Sequence, residues 1–288
     1  MLGGFAHGEE TQSSDEGQSS LKMEDLQQGP SNKVIEVSNS KVKAMTGSES
    51  KFSLQGEFNY SGASIKKPFG NERPNPEHNL VAPETELEGN LGVAYRINRS
   101  TTLGVGSGLT FVAPTNEGLN KAEVTTPYMK LAKTYKAFGA EQVTTAKFRY
   151  YTGRDRDVGR DTAYSLLHYL AYQVGQSRWT VGADLGATYW THLSDAKKGD
   201  YEYGWGATPF VEYKINDRFA LTNSITFGGT HYQGTRADKL RSDQIYGDLG
   251  VNISLMEGVV VTPQIEYYTA DLKPETSTVG VAAIISLL

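Results

Sequence analysis

The chain contains no cysteine. Disulfide frameworks and thiolate metal sites are therefore excluded. It has no uninterrupted apolar run near the ~18 residues that a membrane helix needs, and its mean hydropathy is −0.45. Nor is there an excess of basic charge: 28 Lys and Arg stand against 33 Asp and Glu, a formal net charge of −5. A nucleic-acid partner calls for a basic surface, so that class is set aside. The histidines His7, His78, His168, His192 and His231 show no metal-ligand spacing. Gly104, Gly106 and Gly108 precede no helical pattern, so they do not read as a phosphate cradle. No metal and no cofactor is expected.

What the chain does have is glycine and tyrosine, 31 and 17 of them, and apolar residues spaced by two. Trp179, Val181, Ala183, Leu185, Ala187 and Tyr189 share one parity; Thr180, Gly182, Asp184, Gly186 and Thr188 share the other. A strand sorts these sets onto opposite faces, whereas a helix would scatter them. The same alternation recurs across 52–60, 87–97, 102–111, 128–135, 146–151, 203–214, 219–227, 244–255, 259–267 and 278–287. Residues 163–173 resist assignment, because both parities are apolar or aromatic. The predicted strands run about 10 to 14 residues, against roughly 5–6 in soluble sheets and roughly 9–11 for a tilted bilayer crossing.

Turn chemistry supplies a second signal. Tight Gly-, Asn- and Asp-rich connections at 98–100, 138–140, 175–177, 216–218 and 256–258 alternate with longer polar ones at 62–85, 114–123, 153–161, 194–200, 233–243 and 271–277. Membrane barrels segregate short periplasmic turns from long external loops in this way. Residues 1–50 differ. Positions 9–20 are acidic and Ser-rich, 21–28 suit a short helix and 33–37 a short strand. This segment reads as a flexible tail, with a plug, a periplasmic contact or an oligomerisation arm as the sharper options. Residues 1–6 lack the charged start and full apolar core of a signal peptide and are at most the stub of one.

The polar parity is rich in Gly, Thr, Ser and Asn, which suits the crowded inside of a barrel rather than a solvated exterior. Aromatics gather near both strand ends: Tyr95, Tyr135, Trp179, Tyr213 and Phe219 by the short turns, and Tyr60, Phe111, Tyr189, Tyr203, Trp205 and Tyr267 towards the long loops. Two such bands match a membrane-interface girdle. Lys133, on the apolar parity near a short turn, is expected to snorkel to the interface.

Residues 51–288 thus resemble the bacterial outer-membrane β-barrel proteins and look porin-like, although the chain ends Ile284-Ile285-Ser286-Leu287-Leu288 where such barrels commonly end in an aromatic residue. The resemblance implies an all-β fold, a transmembrane antiparallel barrel of about twelve strands with both termini periplasmic. It implies outer-membrane lipid and lipopolysaccharide as surroundings and a homo-oligomer as the assembly, with Ser107 and Asn223 as polar breaks suited to contact. The expected lumen carries Glu57, Glu88, Arg96, Lys130, Lys147, Arg149, Asp184, Glu212, Lys214, Asp248 and Glu266. Mixed charges there either set up a transverse field with a weak ion preference or pair across and close the lumen. Lys147 with Arg149 is the densest basic spot, a candidate anion site. The leading function is a passive aqueous pore for small hydrophilic solutes or ions; a structural or adhesive barrel is the alternative. A lipid-acting enzyme is the third reading, since His192-Leu193-Ser194 resembles the His-x-Ser pair of outer-membrane phospholipases.

Overall fold

The computed structural model describes residues 40–46, 50–70, 72–74, 85–112, 121–157, 159–193, 201–232, 241–242 and 245–287. All of them belong to one compact unit, 35–288. The helix and strand expected within 21–37 lie outside the described residues. A short helix α1 (Ser40–Thr46) precedes β1 (Phe52–Ser64), β2 (Glu86–Asn98), β3 (Thr101–Val112), β4 (Lys121–Ala137) and β5 (Ala140–Tyr150). One turn of helix, α2 (Gly153–Asp157), leads into β6 (Arg160–Gln173), β7 (Trp179–His192), β8 (Tyr201–Lys214) and β9 (Phe219–Tyr232). The series ends with β10 (Tyr246–Met256), β11 (Val259–Tyr268) and β12 (Thr278–Leu287). The pair Arg241–Ser242 lies antiparallel against the end of β9, opposite Thr230 and Gly229.

Each long strand pairs antiparallel with its sequence neighbours, and β12 pairs back onto β1, from Leu54↔Leu287 to Ser64↔Thr278. The sheet is therefore a closed twelve-stranded barrel with no free long edge, the condition for strands to cross hydrocarbon. Tight turns hold the register. Between β4 and β5, Phe138 and Gly139 have φ of 54° and 78°, the left-handed pair that a two-residue hairpin turn requires.

Cross-strand pairing fixes the faces. Val93, Val105 and Met129 stand in line and point outwards, as do the partners Val181 and Val211 and the partners Tyr213 and Leu221. Aromatic neighbours pair across strands on this exterior: Phe52–Tyr95 at 5.2 Å and Trp179–Tyr213 at 4.7 Å towards the short turns, and Phe148–Tyr164 at 5.3 Å towards the long loops. Ser107 and Asn223 are satisfied within the chain. Ser107 donates to the Thr125 carbonyl at a bulge, 2.6 Å, and the Asn223 amide donates to the Tyr267 hydroxyl, 3.1 Å.

Strand β6 resolves the ambiguous stretch. Tyr164, Leu166, His168, Leu170 and Tyr172 face out, while Ala163, Ser165, Leu167, Tyr169 and Ala171 face in. Its inward face is apolar because α1 packs there, a contact between segments over a hundred residues apart that no local pattern shows. On the rim, Lys66 bonds Glu275 at 2.8 Å and ties the loop after β1 to the loop before β12. This ammonium holds the Glu275 carboxyl below the usual carboxylate range, so the tie is present above that range and is lost as pH falls through the lowered value.

The face assignment predicts an asymmetry. Val105→Arg, on the outer face in the middle of β3, should cost about 2–4 kcal/mol in a denaturant titration of the barrel in vesicles. Thr110→Arg, on the inner parity of the same strand, should cost clearly less. Equal costs would contradict the assignment.

Candidate channel lumen

The inward parity of β4, β5, β6 and β8 presents an apolar strip inside an otherwise polar interior: Ala132, Val143, Leu167, Tyr169, Ala171 and Phe210. α1 lies on it. Val42 is 0 % exposed and packs with Ala132, Val143, Tyr169 and Ala171, with Met45 and Phe210 at the margin. Burying one such valine contributes roughly 1.5–3 kcal/mol. Lys41 anchors the helix start. Its ammonium lies 3.2 Å from the Asp184 carboxylate and 5.1 Å from the centre of the Tyr169 ring, which stacks on Phe210 at 5.4 Å. α1 also touches β11 and β12, so it spans the lumen between walls. On its long-loop side lies a cavity of about 910 Å³ with Lys41 and Met45 in its lining. At the short-turn end, beside Lys136, Arg178 and Asn216, lies another of about 260 Å³.

The strand pairing places the inward charges in two opposed groups. Lys130 and Lys147 are direct cross-strand partners on β4 and β5, with Arg149 two residues nearer the long loops. Asp248 and Glu266 are direct partners on β10 and β11. β11 is six places from β5 in the ring of twelve, so the two like-charged pairs stand on opposite walls. Lys147 is the eighth residue of β5 and Glu266 the eighth of β11, each counted from a short turn. Like charges directly opposite each other destabilise a sheet, yet here both signs are doubled. The result is a field directed across the lumen.

Local partners temper it. On the acidic wall, Arg73 reaches in from the first long loop, 3.1 Å from Glu86 and 3.8 Å from Glu266. The Gln264 amide donates to Asp248 at 3.2 Å and the Asn252 amide to Glu212 at 2.5 Å. On the basic wall, Lys130 lies 3.8 Å from Glu57, and Lys147 donates to the Asn90 side-chain carbonyl at 3.3 Å while sitting 4.3 Å above the Tyr128 ring. Glycine makes this wall possible. A Cβ at Gly92 or at Gly106 would fall 2.6 Å from the Tyr128 hydroxyl, and one at Gly104 would meet the Lys130 stem at 3.0 Å. The alternating glycines of β2 and β3 are thus the bed on which Tyr128 lies and Lys147 rests.

No protein-family model and no curated protein matches the chain. Among solved structures, an outer-membrane channel from Pseudomonas putida F1 superposes with a TM-score of 0.54 at 12% identity, over 88% of this chain and 100% of that one. The NanC porin superposes with a TM-score of 0.47 at 9% identity, over 82% of this chain and 100% of that one. The likeness is one of fold. What the chain shares with them is the closed antiparallel β-barrel.

Within that barrel the eleven expected lumen residues all fall on the inward parity. Glu57, Glu88, Lys130, Lys147, Arg149 and Asp184 border the larger cavity. Glu212 and Lys214 border the smaller one. Arg96 sits at the foot of β2, 3.5 Å from the Arg99 carbonyl, and Lys214 bonds Asp217 at 2.8 Å, so these two belong to the short-turn rim. Lys41, Arg73 and the inward Trp190, whose indole donates to the Tyr151 hydroxyl at 2.9 Å, were not legible as luminal groups. Arg73 and Lys41 lie outside the alternating segments, and Trp190 is masked by aromatic neighbours on the other parity. His192 ends β7 on the inward parity, and Ser194 lies outside the described residues.

The absence of native cysteine makes the helix position directly testable. Val42→Cys should resist a water-soluble maleimide in the folded barrel and react only after unfolding, while Lys66→Cys on the rim should react at once. Similar rates at both positions would remove α1 from the lumen.

Proposed function

We propose that the chain forms a passive, water-filled channel for small hydrophilic solutes or ions in the bacterial outer membrane, and that α1 narrows it. In this reading lipid and lipopolysaccharide surround the outer face, the short turns and both termini are periplasmic, and copies associate as a homo-oligomer. The observation that carries it is the lumen itself. A barrel that serves as an anchor can fill its interior with paired side chains, whereas this one keeps a cavity of about 910 Å³ lined by charges of both signs, Glu57, Glu88 and Asp184 with Lys130, Lys147 and Arg149. The eleven inward charges are the pore lining, with the field between Lys147 and Glu266 acting on any solute that passes. No catalysis is involved, because the inward parity of His192 turns it away from the lipid surface that a lipid-acting enzyme works on.

One observation favours the alternative, a structural or adhesive barrel with no open path: α1 rests on a built apolar strip rather than lying loosely in water. Planar-bilayer recording separates the two. The native chain should give small or brief steps. Val42→Asp, which makes the strip contact unfavourable, should give steady steps several-fold larger. Silence from both proteins, each verified as a folded barrel by its heat-dependent gel shift, would overturn the channel reading.

A further inference from the structure

We propose that Gln55, Lys130, Lys147 and Arg149 form a subsite for the oxyanion group, carboxylate or phosphate, of a small solute. It names the solute class of the channel reading and rests on that reading for the solute's entry, though not for its binding.

Two independent observations point to an anion. The first is the state of Lys147. It is 7 % exposed, it stands directly opposite Lys130 and two residues from Arg149 on the same face, and among the described residues no carboxylate lies within ion-pair reach of it. Its contacts are a neutral carbonyl, Asn90 at 3.3 Å, and the Tyr128 ring at 4.3 Å. A buried charge without a counter-charge is costly, and a like-charged neighbour across the strand adds to that cost. An anion offsets both. Glu57 does so for Lys130 in part, at 3.8 Å, and leaves Lys147 and Arg149 without an ion pair among the described residues.

The second is Gln55. Its side chain points inward from β1, is 5 % exposed, and neither amide atom has a hydrogen-bond partner among the described residues. An orphaned buried amide is uncommon in a folded chain. The crevice that it borders is lined also by Tyr128, Lys130, Lys147 and the one carboxylate Glu57, which is drawn to Lys130, with Ala44 and Met45 of α1 as its roof. That crevice holds about 10 Å³, room for roughly one water. It adjoins the larger cavity, with which it shares Met45, Glu57, Asn90, Lys130, Lys147 and Ile284. An incoming anion meets Arg149 first, then Lys147, and reaches the Gln55 amide donors when the flexible Met45 side chain gives way. Two ammoniums and an amide then satisfy its oxygens with charge-assisted bonds.

Calorimetry on the full chain in detergent micelles tests the subsite without requiring conduction. The probes are succinate, inorganic phosphate and uncharged 1,4-butanediol. Succinate or phosphate should bind, more weakly as NaCl rises, and the tighter of the two names the head group; the diol should not bind. Lys147→Met should weaken binding tenfold or more, and Gln55→Leu should weaken it by a smaller factor. Lys133→Met, which alters an outward lysine, should leave it unchanged. A folded chain that ignores both anions, or a Lys147→Met, Arg149→Met double variant that binds them as the native chain does, would overturn the proposal. Silence in planar bilayers with anion binding intact would remove the channel reading and keep the subsite. Conductance with no anion binding would do the reverse.

Discussion

The structure depends on one constraint: a backbone amide or carbonyl in hydrocarbon has no water to bond, so every one must be paired within the protein. Twelve strands meet it by closing, with β12 returning to β1 through an unbroken run of partners from Leu54↔Leu287 to Ser61↔Gly280. Closure forces the alternation, since each strand then has one face to lipid and one to the lumen. It also makes the lumen a shared space in which residues distant in sequence become neighbours. Lys41 and Asp184, and Arg73 and Glu266, meet there.

That separation explains what could be read in advance. Strand number, strand faces, turn positions and the inward set of charges depend on neighbours two residues apart or on local turn chemistry, and these were legible. Trp179, Val181 and Leu185 on one parity needed no knowledge of the rest of the chain. The β6 segment was not legible, because Leu167, Tyr169 and Ala171 are apolar on account of Val42, far away in sequence. The luminal role of 40–46 was hidden for the same reason. Val42, Ala44 and Met45 form too short a run to declare an amphipathic helix, and what makes them one is a wall built from β4, β5, β6 and β8.

The interior uses two kinds of contact for two ends. Apolar packing holds α1 on its strip, while Lys130 and Lys147 concentrate positive charge on one wall and Asp248 and Glu266 negative charge on the other. Pairing is incomplete by construction: Asp248 and Glu266 share amides and one reaching arginine, and Lys147 rests on Tyr128 over a glycine bed. A barrel selected for stability would pair these groups across the space or replace them by packing. Retaining unpaired charge around a cavity is the arrangement expected where charge is to meet a solute.

All of this requires that the odd-numbered apolar residues of β7 and β8 meet acyl chains while the even-numbered residues enclose the lumen. The three tryptophans report on both sides, since Trp179 and Trp205 face outwards and Trp190 faces inwards. Variants that keep one tryptophan each, reconstituted with brominated phospholipids, give the most direct measurement. The account predicts strong quenching of Trp179 and Trp205 by the lipid and little of Trp190. Strong lipid quenching of Trp190, with Trp179 and Trp205 spared, would contradict it.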